Sequence, residues 1–187
     1  MIFSLRTVHT DWSRIGGDVF ALYYNATTRK IQGLNGSGRS PAALTLGKAR
    51  EMGLKGKNIP RTDINCVTVP GSAAAWCDIH SEWGSGNLSL AELMAPASEL
   101  AEEGFPVSSM AAHEWSKEVD HLREASEDGV KFLIEGKAPV AGQVWENPDL
   151  AKTLRELGEK GKEGFYKGRC AEEIVKCEHL RISTELS

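Results

Sequence analysis

The sequence has no excess of one charge sign, no long apolar run and no paired-cysteine motif, and each absence excludes a class of protein. Its 22 lysines and arginines stand against 26 aspartates and glutamates, which gives a formal net charge of −4. A chain without a basic surplus lacks the electrostatic field that attracts polyanions. Nucleic acid is therefore not an expected partner.

No apolar stretch reaches the ~20 residues that a membrane-spanning helix needs. The first residues are interrupted by Arg6, His9 and Asp11 before the apolar core of a signal peptide can form. The sequence predicts neither a membrane segment nor a signal peptide in this chain, and the compartment is left unknown.

The cysteines and histidines do not have the spacing of a metal site. The sequence has four cysteines, which are Cys66, Cys77, Cys170 and Cys177. None of them forms a C-x-x-C pair, so we predict buried structural thiols, because free cysteine behaves as a small apolar residue. His113 and His121 lack the H-E-x-x-H spacing, since Lys117 occupies the second histidine position. We predict no metal and no organic cofactor.

What the chain does have is enough apolar content for a core. Its 187 residues are 41% hydrophobic, and a chain of this length buries roughly 70% of its unfolded surface. We expect a single domain over residues 1–187. The first half mixes strand and helix patterns, whereas the second half is helical and charged.

The strongest strand pattern is DVFALYY, from Asp18 to Tyr24, which is apolar at every position after the first. A strand without polar alternation is typical of a central strand covered on both faces. After the polar turn Asn25 to Arg29, the segment Lys30 to Leu34 is expected to return beside it as a hairpin partner.

Capping residues indicate where helices begin. Ser89 followed by Glu92 is a capping box, and Asn147 before Pro148 provides an N-cap and a first helical residue. Ser72 is expected to cap a further helix. Other helices are predicted over residues 41–52, 109–124 and 165–177, with a short strand over 66–69.

Three blocks in a fixed order carry a family resemblance. IGGDVFALYYNATTRKIQGLNGSGRSP runs from Ile15 to Pro41, and VTVPGSAAAWCDIHSEWG runs from Val67 to Gly84. LSLAELMAPASELAEEGFPVS, from Leu88 to Ser108, is the third. The second resembles a V-x-V-P-G turn with its helix, and the third an L-x-P-A-x-x-L-A-x-x-G-F-x-V stretch. Together they resemble the N-terminal part of the large subunit of a γ-glutamyltransferase, also called γ-glutamyltranspeptidase or glutathione hydrolase.

The resemblance covers residues 15–177 and implies a fold and a reaction. The fold would be α+β, part of the α/β/β/α sandwich of the N-terminal-nucleophile hydrolases, with a helix-rich second half. The substrate would be a γ-glutamyl compound such as glutathione, and the partner would be the small subunit of the same precursor. That subunit would provide the nucleophilic threonine, so the resemblance implies no catalytic residue in this chain, an incomplete domain and no activity of the chain alone.

One loop of the family implies a substrate-binding residue. The family has D-G-R-E-x-x-P after the second strand, where this chain has NGSGRSP from Asn35 to Pro41. Aligned on the glycine and the proline, Ser37 occupies the arginine position, and the nearest guanidinium is that of Arg39. The implied substrate-binding residues are Arg39 and Ser37, with Arg39 holding the donor carboxylate through its two-pronged guanidinium.

Two alternatives remain open at this stage. The N-G-S-G-R-x-P form also resembles acylase-like relatives of the family, which would act on a different acyl group. A truncated, catalytically inactive product that at most binds a partner is the other alternative, because the family's threonine lies outside these residues.

Overall fold

The computed structural model describes residues 15–60, 63–125 and 127–176, which form short strands and a larger number of helices. The strands are β1 (Val19–Asn25), β2 (Lys30–Gly36), β3 (Phe105–Pro106) and β4 (Val144–Trp145). The helices are α1 (Leu46–Glu51), α2 (Ser72–Trp83), α3 (Leu90–Glu103), α4 (Ser109–Lys117), α5 (Val119–Ala125), α6 (Pro148–Lys160) and α7 (Lys162–Tyr166). Residues 169–176 are also helical, and 3₁₀ turns occupy Ile64–Cys66 and Glu127–Phe132.

These elements divide into two compact units. One consists of Leu88–Glu159, and the other consists of Ile15–Asn87 together with the described residues from Lys160 onward. The first unit is almost entirely helical, and the second contains the β1–β2 hairpin. The mixture agrees with the predicted α+β class.

The predicted hairpin is confirmed. Strands β1 and β2 pair antiparallel across the turn at residues 26–29. On the inner face Tyr23 stacks on Trp83 of α2, with ring centroids 5.2 Å apart and planes inclined by 13°. The outer face is open, because Phe20, Leu22 and Tyr24 are 57–84% exposed. Within the described residues, therefore, only one of the two faces that were expected to be covered has a covering layer in this chain.

Two helix starts follow their predicted caps. Ser89 and Glu92 form the capping box of α3, in which the Ser89 N–H donates to Glu92 Oε2 at 2.7 Å and the Glu92 N–H donates to Ser89 Oγ at 3.2 Å. The Leu150 N–H donates to Asn147 Oδ1 at 3.0 Å, so Asn147 caps α6 as expected. These interactions join residues three apart, which is why local sequence predicts them.

Other predicted boundaries are wrong. The helix expected from residue 41 begins at Leu46, because Thr45 Oγ1 accepts the Lys48 N–H at 3.2 Å and so forms the N-cap. The strand predicted over 66–69 is absent from this described stretch, where Ile64–Cys66 is a 3₁₀ turn and Val69 forms a single bridge with Arg39. The helix predicted over 109–124 is divided into α4 and α5.

The helical unit has an aromatic core. Trp145 of β4 makes edge-to-face contacts with Trp115 of α4, at a centroid distance of 4.9 Å, and with Phe105 of β3, at 5.8 Å. Elsewhere in this unit Gly158 of α6 lies directly against Ala91 of α3, where a side chain would not fit without a shift. No helix in the described ranges combines the length and apolar character that crossing a membrane demands.

Candidate functional site

A cavity of about 270 Å³ lies in the hairpin unit, where the loop after β2 meets the start of α2. Both predicted substrate-binding residues, Arg39 and Ser37, line it. The other lining residues are Leu34, Asn35, Gly36, Gly38, Val69, Pro70, Gly71, Ala74, Ala75, Asp78 and Tyr166. The cavity therefore has a backbone-rich wall with one guanidinium on it.

The loop that carries Arg39 is held by hydrogen bonds at both ends. Asp18, just before β1, accepts the Gly38 N–H at 2.6 Å, and Asn35 Oδ1 accepts the Ser37 N–H at 2.9 Å. The Arg39 carbonyl then accepts the Val69 N–H at 2.8 Å. The backbone of Arg39 is thus tied to the turn before α2, while its side chain is left to project.

Glycines allow the loop and the turn to touch. A methyl group on Gly36 would lie 2.5 Å from the Ala75 Cβ, and one on Gly71 would overlap the Gly36 carbonyl. Neighbouring atoms leave no room for a side chain at either position, which is why both residues are glycine.

The Gly17 carbonyl fixes the end of the turn Val69–Gly71. Gly17 O accepts the Gly71 N–H at 3.1 Å, the Ser72 N–H at 2.9 Å and the Ser72 hydroxyl at 2.8 Å. Ser72 was expected to be the N-cap of α2, but it is the first helical residue and Gly71 is the N-cap. The Ser72 hydroxyl therefore binds the Gly17 carbonyl, just before β1, and does not cap the N-terminus of α2.

The phenol of Tyr166 performs the capping that Gly71 cannot. Its O–H donates to the Pro70 carbonyl at 2.6 Å, and its oxygen accepts the Ala74 N–H at 3.0 Å. Burial raises the pKa of this phenol above its usual value. Tyr166 therefore stays protonated in the neutral range and keeps its hydrogen to donate.

The Arg39 guanidinium is the free cation of this site. The side chain is exposed, and no ion pair or hydrogen bond joins its guanidinium to any residue in the described part of the chain. By contrast, the lining carboxylate Asp78 is neutralised by Lys162, whose Nζ lies 2.5 Å from Asp78 Oδ1. That hydrogen bond raises the pKa of Lys162. An unpaired guanidinium can bind both oxygens of a ligand carboxylate.

The cysteines differ in their surroundings. Cys170 is buried, Cys77 is half-buried and Cys66 is exposed, while Cys177 lies outside the described residues. The prediction of buried thiols is confirmed for Cys170 and wrong for Cys66. Burial raises the pKa of Cys77, so this thiol is less ionised than a free one at neutral pH.

The histidines of the helical unit lie on exposed surface. His121 of α5 places its Nδ1 3.0 Å from Oε2 of Glu118, the residue before that helix. His113 is exposed on α4. Within the described ranges, no group of three or more acidic, histidine or cysteine side chains comes together as metal ligands would.

Comparison with known proteins identifies the family. The profile of the family described as gamma-glutamyltranspeptidase matches residues 1–179 of this chain. The chain belongs to the gamma-glutamyltranspeptidase family. Among curated proteins it is similar to the glutathione hydrolase-like YwrD proenzyme of Bacillus subtilis (strain 168), with 36% identity over 179 residues. This match covers 95% of the chain and 32% of that relative, so the chain spans about a third of the length of the relative.

Solved structures agree with this membership. The gamma-glutamyltranspeptidase of Helicobacter pylori superimposes with a TM-score of 0.81 at 26% identity, over 94% of this chain and 50% of that one. The cephalosporin acylase of Bacillus halodurans superimposes with a TM-score of 0.80 at 35% identity, over 94% of this chain and 33% of that one. The predicted family and its N-terminal-nucleophile hydrolase fold are thus confirmed.

Two residues that fix the loop and the turn at this cavity have no signal in the sequence. Asp18 is the first residue of the predicted strand segment Asp18 to Tyr24, but it precedes β1 and accepts the Gly38 N–H of the arginine loop. Tyr166 lies 96 residues after Pro70, and its spacing from any motif gives no signal of the contact. Arg39 and Ser37 do line the cavity, and their substrate-binding role, taken from the family's loop aligned on a glycine and a proline, stays a prediction.

Proposed function

We propose that this chain forms the donor-binding part of an enzyme that hydrolyses or transfers γ-glutamyl groups. Arg39 binds the α-carboxylate of the γ-glutamyl donor, and Ser37 lies beside it on the same loop. The observation that carries the proposal is the Arg39 guanidinium, which lines the cavity and has no partner among the described residues. Glutathione is the donor that the family membership favours.

The chemistry of bond cleavage is assigned to a second chain. In the proposed enzyme, a threonine at the start of the small subunit attacks the γ-glutamyl carbonyl, and its own α-amine takes the hydroxyl proton. Backbone N–H groups stabilise the oxyanion, and water or an acceptor amine then releases the acyl group. Such a reaction requires no metal and no organic cofactor.

The outer face of the hairpin supports a partner chain in this proposal. Leu22 is 84% exposed and Ile31 is 71% exposed, and both lie on the same side as Phe20 and Tyr24. Large apolar side chains exposed together on one sheet face mark an interaction surface. We assign this face to the small subunit of the same precursor, in keeping with the Bacillus subtilis relative, which is named a proenzyme.

A second candidate function is acylase activity on an acyl group that lacks the α-amine. Ser37 and Gly38 occupy the positions where the family's loop has arginine and glutamate, so this loop departs from the γ-glutamyl-specific form. The cephalosporin acylase named above is the more similar of the two solved structures in sequence. Arg39 would bind a carboxylate in either case, and the difference lies in whether an amine is also recognised.

A set of four ligands distinguishes these functions. The ligands are the γ-glutamyl, glutaryl, 4-aminobutyryl and butyryl amides of one amine, which carry both charged groups, the carboxylate alone, the amine alone and neither. Binding to the 187-residue chain is measured by ligand-detected NMR at micromolar protein, with Arg39→Ala beside the wild type. We expect the γ-glutamyl and glutaryl ligands to bind and both to lose binding in Arg39→Ala.

The outcomes separate the candidates. Preference for γ-glutamyl over glutaryl supports the γ-glutamyl function, whereas equal binding supports the acylase. Binding that does not depend on the carboxylate, or that survives in Arg39→Ala, contradicts the assigned role of Arg39. Hydrolysis of any of the four amides by the 187-residue chain would contradict the assignment of the nucleophile to a second chain.

A further inference from the structure

Helix α2 begins without a capping side chain of its own. Its N-cap is Gly71, which has no side-chain oxygen for the N–H groups of the first turn. The Ala74 N–H, third in the helix, is instead bonded at 3.0 Å to the phenol oxygen of Tyr166, 92 residues later in the sequence. A distant residue therefore completes the start of this helix.

The same phenol also holds the turn that precedes the helix. The Tyr166 O–H donates to the Pro70 carbonyl at 2.6 Å, within the Val69–Gly71 turn. Pro70 is itself buried, and this bond gives its carbonyl a hydrogen-bond partner. One oxygen thus fixes the turn on one side and the helix on the other.

The Val69–Gly71 turn also fixes the backbone of Arg39. The Val69 N–H, one residue before Pro70, donates to the Arg39 carbonyl at 2.8 Å. The path from the phenol to the arginine is therefore Tyr166, Pro70, Val69 and Arg39, with two hydrogen bonds and one peptide linkage between the ends. Every residue of this path lies in the hairpin unit.

We infer that Tyr166 is a positioning residue for Arg39: its phenol locks the Val69–Gly71 turn and so sets the place from which the guanidinium meets a ligand carboxylate. This inference rests on the proposed function of Arg39 as the carboxylate-binding residue. Preorganisation of this kind matters because a bidentate contact needs its donors already aligned.

An exposed ion pair in the same segment as Tyr166 provides a matched control. Lys167 Nζ lies 2.6 Å from Glu163 Oε1, Glu163 lies on α7, and Lys167 directly follows Tyr166. Neither side chain lines the cavity or bonds to the turn. The control variant combines Lys167→Met with Glu163→Gln, which removes this ion pair and leaves the cavity lining unchanged.

The test compares Tyr166→Phe, the control variant and Arg39→Ala in the full 187-residue chain. The first readout is hydrogen exchange at single amides, which needs no ligand. We expect Tyr166→Phe to speed exchange at Ala74, whose partner is lost, and also at Val69, whose bond to Arg39 is loosened. The control variant is expected to leave Val69 unchanged.

The second readout is the affinity for the glutaryl amide relative to the butyryl amide. Tyr166→Phe is expected to lower this ratio roughly tenfold, the effect of losing about one buried hydrogen bond, and the control variant to leave it unchanged. If Arg39→Ala does not change the ratio, the proposed function fails. If Arg39→Ala changes it and Tyr166→Phe does not, the positioning role is overturned and the proposed function stands.

A third variant covers the case in which Tyr166→Phe does not fold. A fluorinated tyrosine at position 166 keeps both hydrogen bonds at low pH and has a lower phenol pKa. As pH rises through that pKa, the ionised oxygen still accepts from Ala74 but no longer donates to Pro70. The expected result is that Val69 exchanges faster relative to its intrinsic rate at each pH, while Ala74 stays protected. An unchanged protection factor at Val69 contradicts the inference.

Discussion

The Cα of Gly71 lies against the carbonyl oxygen of Gly36, so closely that a methyl group on Gly71 would overlap that oxygen. This contact joins the end of β2 to the N-cap of α2, on either side of the cavity that contains Arg39. The φ of Gly71 is −94°, a value open to any residue. Steric exclusion, and not backbone conformation, therefore requires glycine here.

We expect Gly71→Ala to lower the free energy of unfolding by about 1–3 kcal/mol, as overpacking against rigid backbone does. Urea denaturation measures the change. Gly47→Ala is the control, because the nearest atom to its added methyl is 3.9 Å away and alanine favours the α1 helix. If both variants have the stability of the wild type, the Gly36–Gly71 contact is looser than described.

The capping box of α3 gives a pH-dependent prediction. Hydrogen bonds from the Ser89 side chain and backbone lower the pKa of Glu92 from its usual value of 4.5. A lowered folded-state pKa means that the ionised form stabilises the fold above about pH 4.5, and that this stabilisation is lost as pH falls through the folded-state pKa. Ser89→Ala removes the cap, at a cost of about 1 kcal/mol near neutral pH.

The difference in stability between wild type and Ser89→Ala should therefore be smaller at pH ~3 than at pH ~7. Urea midpoints at the two pH values measure it. Glu92→Gln keeps a group that can accept the hydrogen bond but does not titrate, so the Ser89→Ala effect in that background should not vary with pH. Equal pH dependence in both backgrounds would mean that another group is responsible.

Contacts could be predicted from the sequence where the two residues are close along the chain, and could not where they are far apart. Ser89 with Glu92 and Asn147 with Leu150 are interactions three residues apart, so the start of α3 and that of α6 were predictable. The prediction of Ser72 as the N-cap of α2 is wrong, because the carbonyl of Gly17, 55 residues away, accepts the Ser72 hydroxyl. A distant carbonyl that competes for a capping side chain leaves no local signal.

The candidate site shows the same division. The substrate-binding role of Arg39 and Ser37 stays a prediction, but their place on the loop could be predicted, because the family's loop has a fixed glycine and proline that align with Gly36 and Pro41. Their surroundings could not, because the residues that fix the loop come from elsewhere in the chain. Thr45 was a missed local signal: a threonine three residues before Lys48 is a good N-cap, and it displaced the predicted start at Pro41.

The outer face of the hairpin predicts self-association of the chain by itself. Phe20, Leu22, Tyr24 and Ile31 expose large apolar side chains on one side of β1 and β2. We expect binding of a hydrophobic dye and oligomers in sedimentation velocity. Leu22→Lys should reduce both, because a lysine on an exposed strand opposes association, and should change stability by no more than about 0.5 kcal/mol, as for a surface site.

Ala21→Lys is the matched control, one position along the same strand. Successive residues of a strand point to opposite faces, so this lysine would lie on the side that packs against α2 and should destabilise the chain. Equal destabilisation by Leu22→Lys and Ala21→Lys would show that the outer face is already covered in solution.

Arg39→Lys tests whether the geometry of the cation matters as well as its charge. Lysine keeps one positive charge but replaces the planar, two-pronged donor with a single ammonium group. We expect the carboxylate-dependent part of glutaryl-amide binding to fall by about 1.5 kcal/mol, the lower end for a charge-assisted hydrogen bond, and to fall further in Arg39→Ala. Ligand-detected NMR gives the affinities, and Lys57→Ala, which changes an exposed cation that does not line the cavity, is the control. Full binding in Arg39→Lys with loss in Arg39→Ala would reduce the role of Arg39 to that of a point charge. A graded loss, from arginine to lysine to alanine, would identify it as the two-pronged ligand for the donor carboxylate.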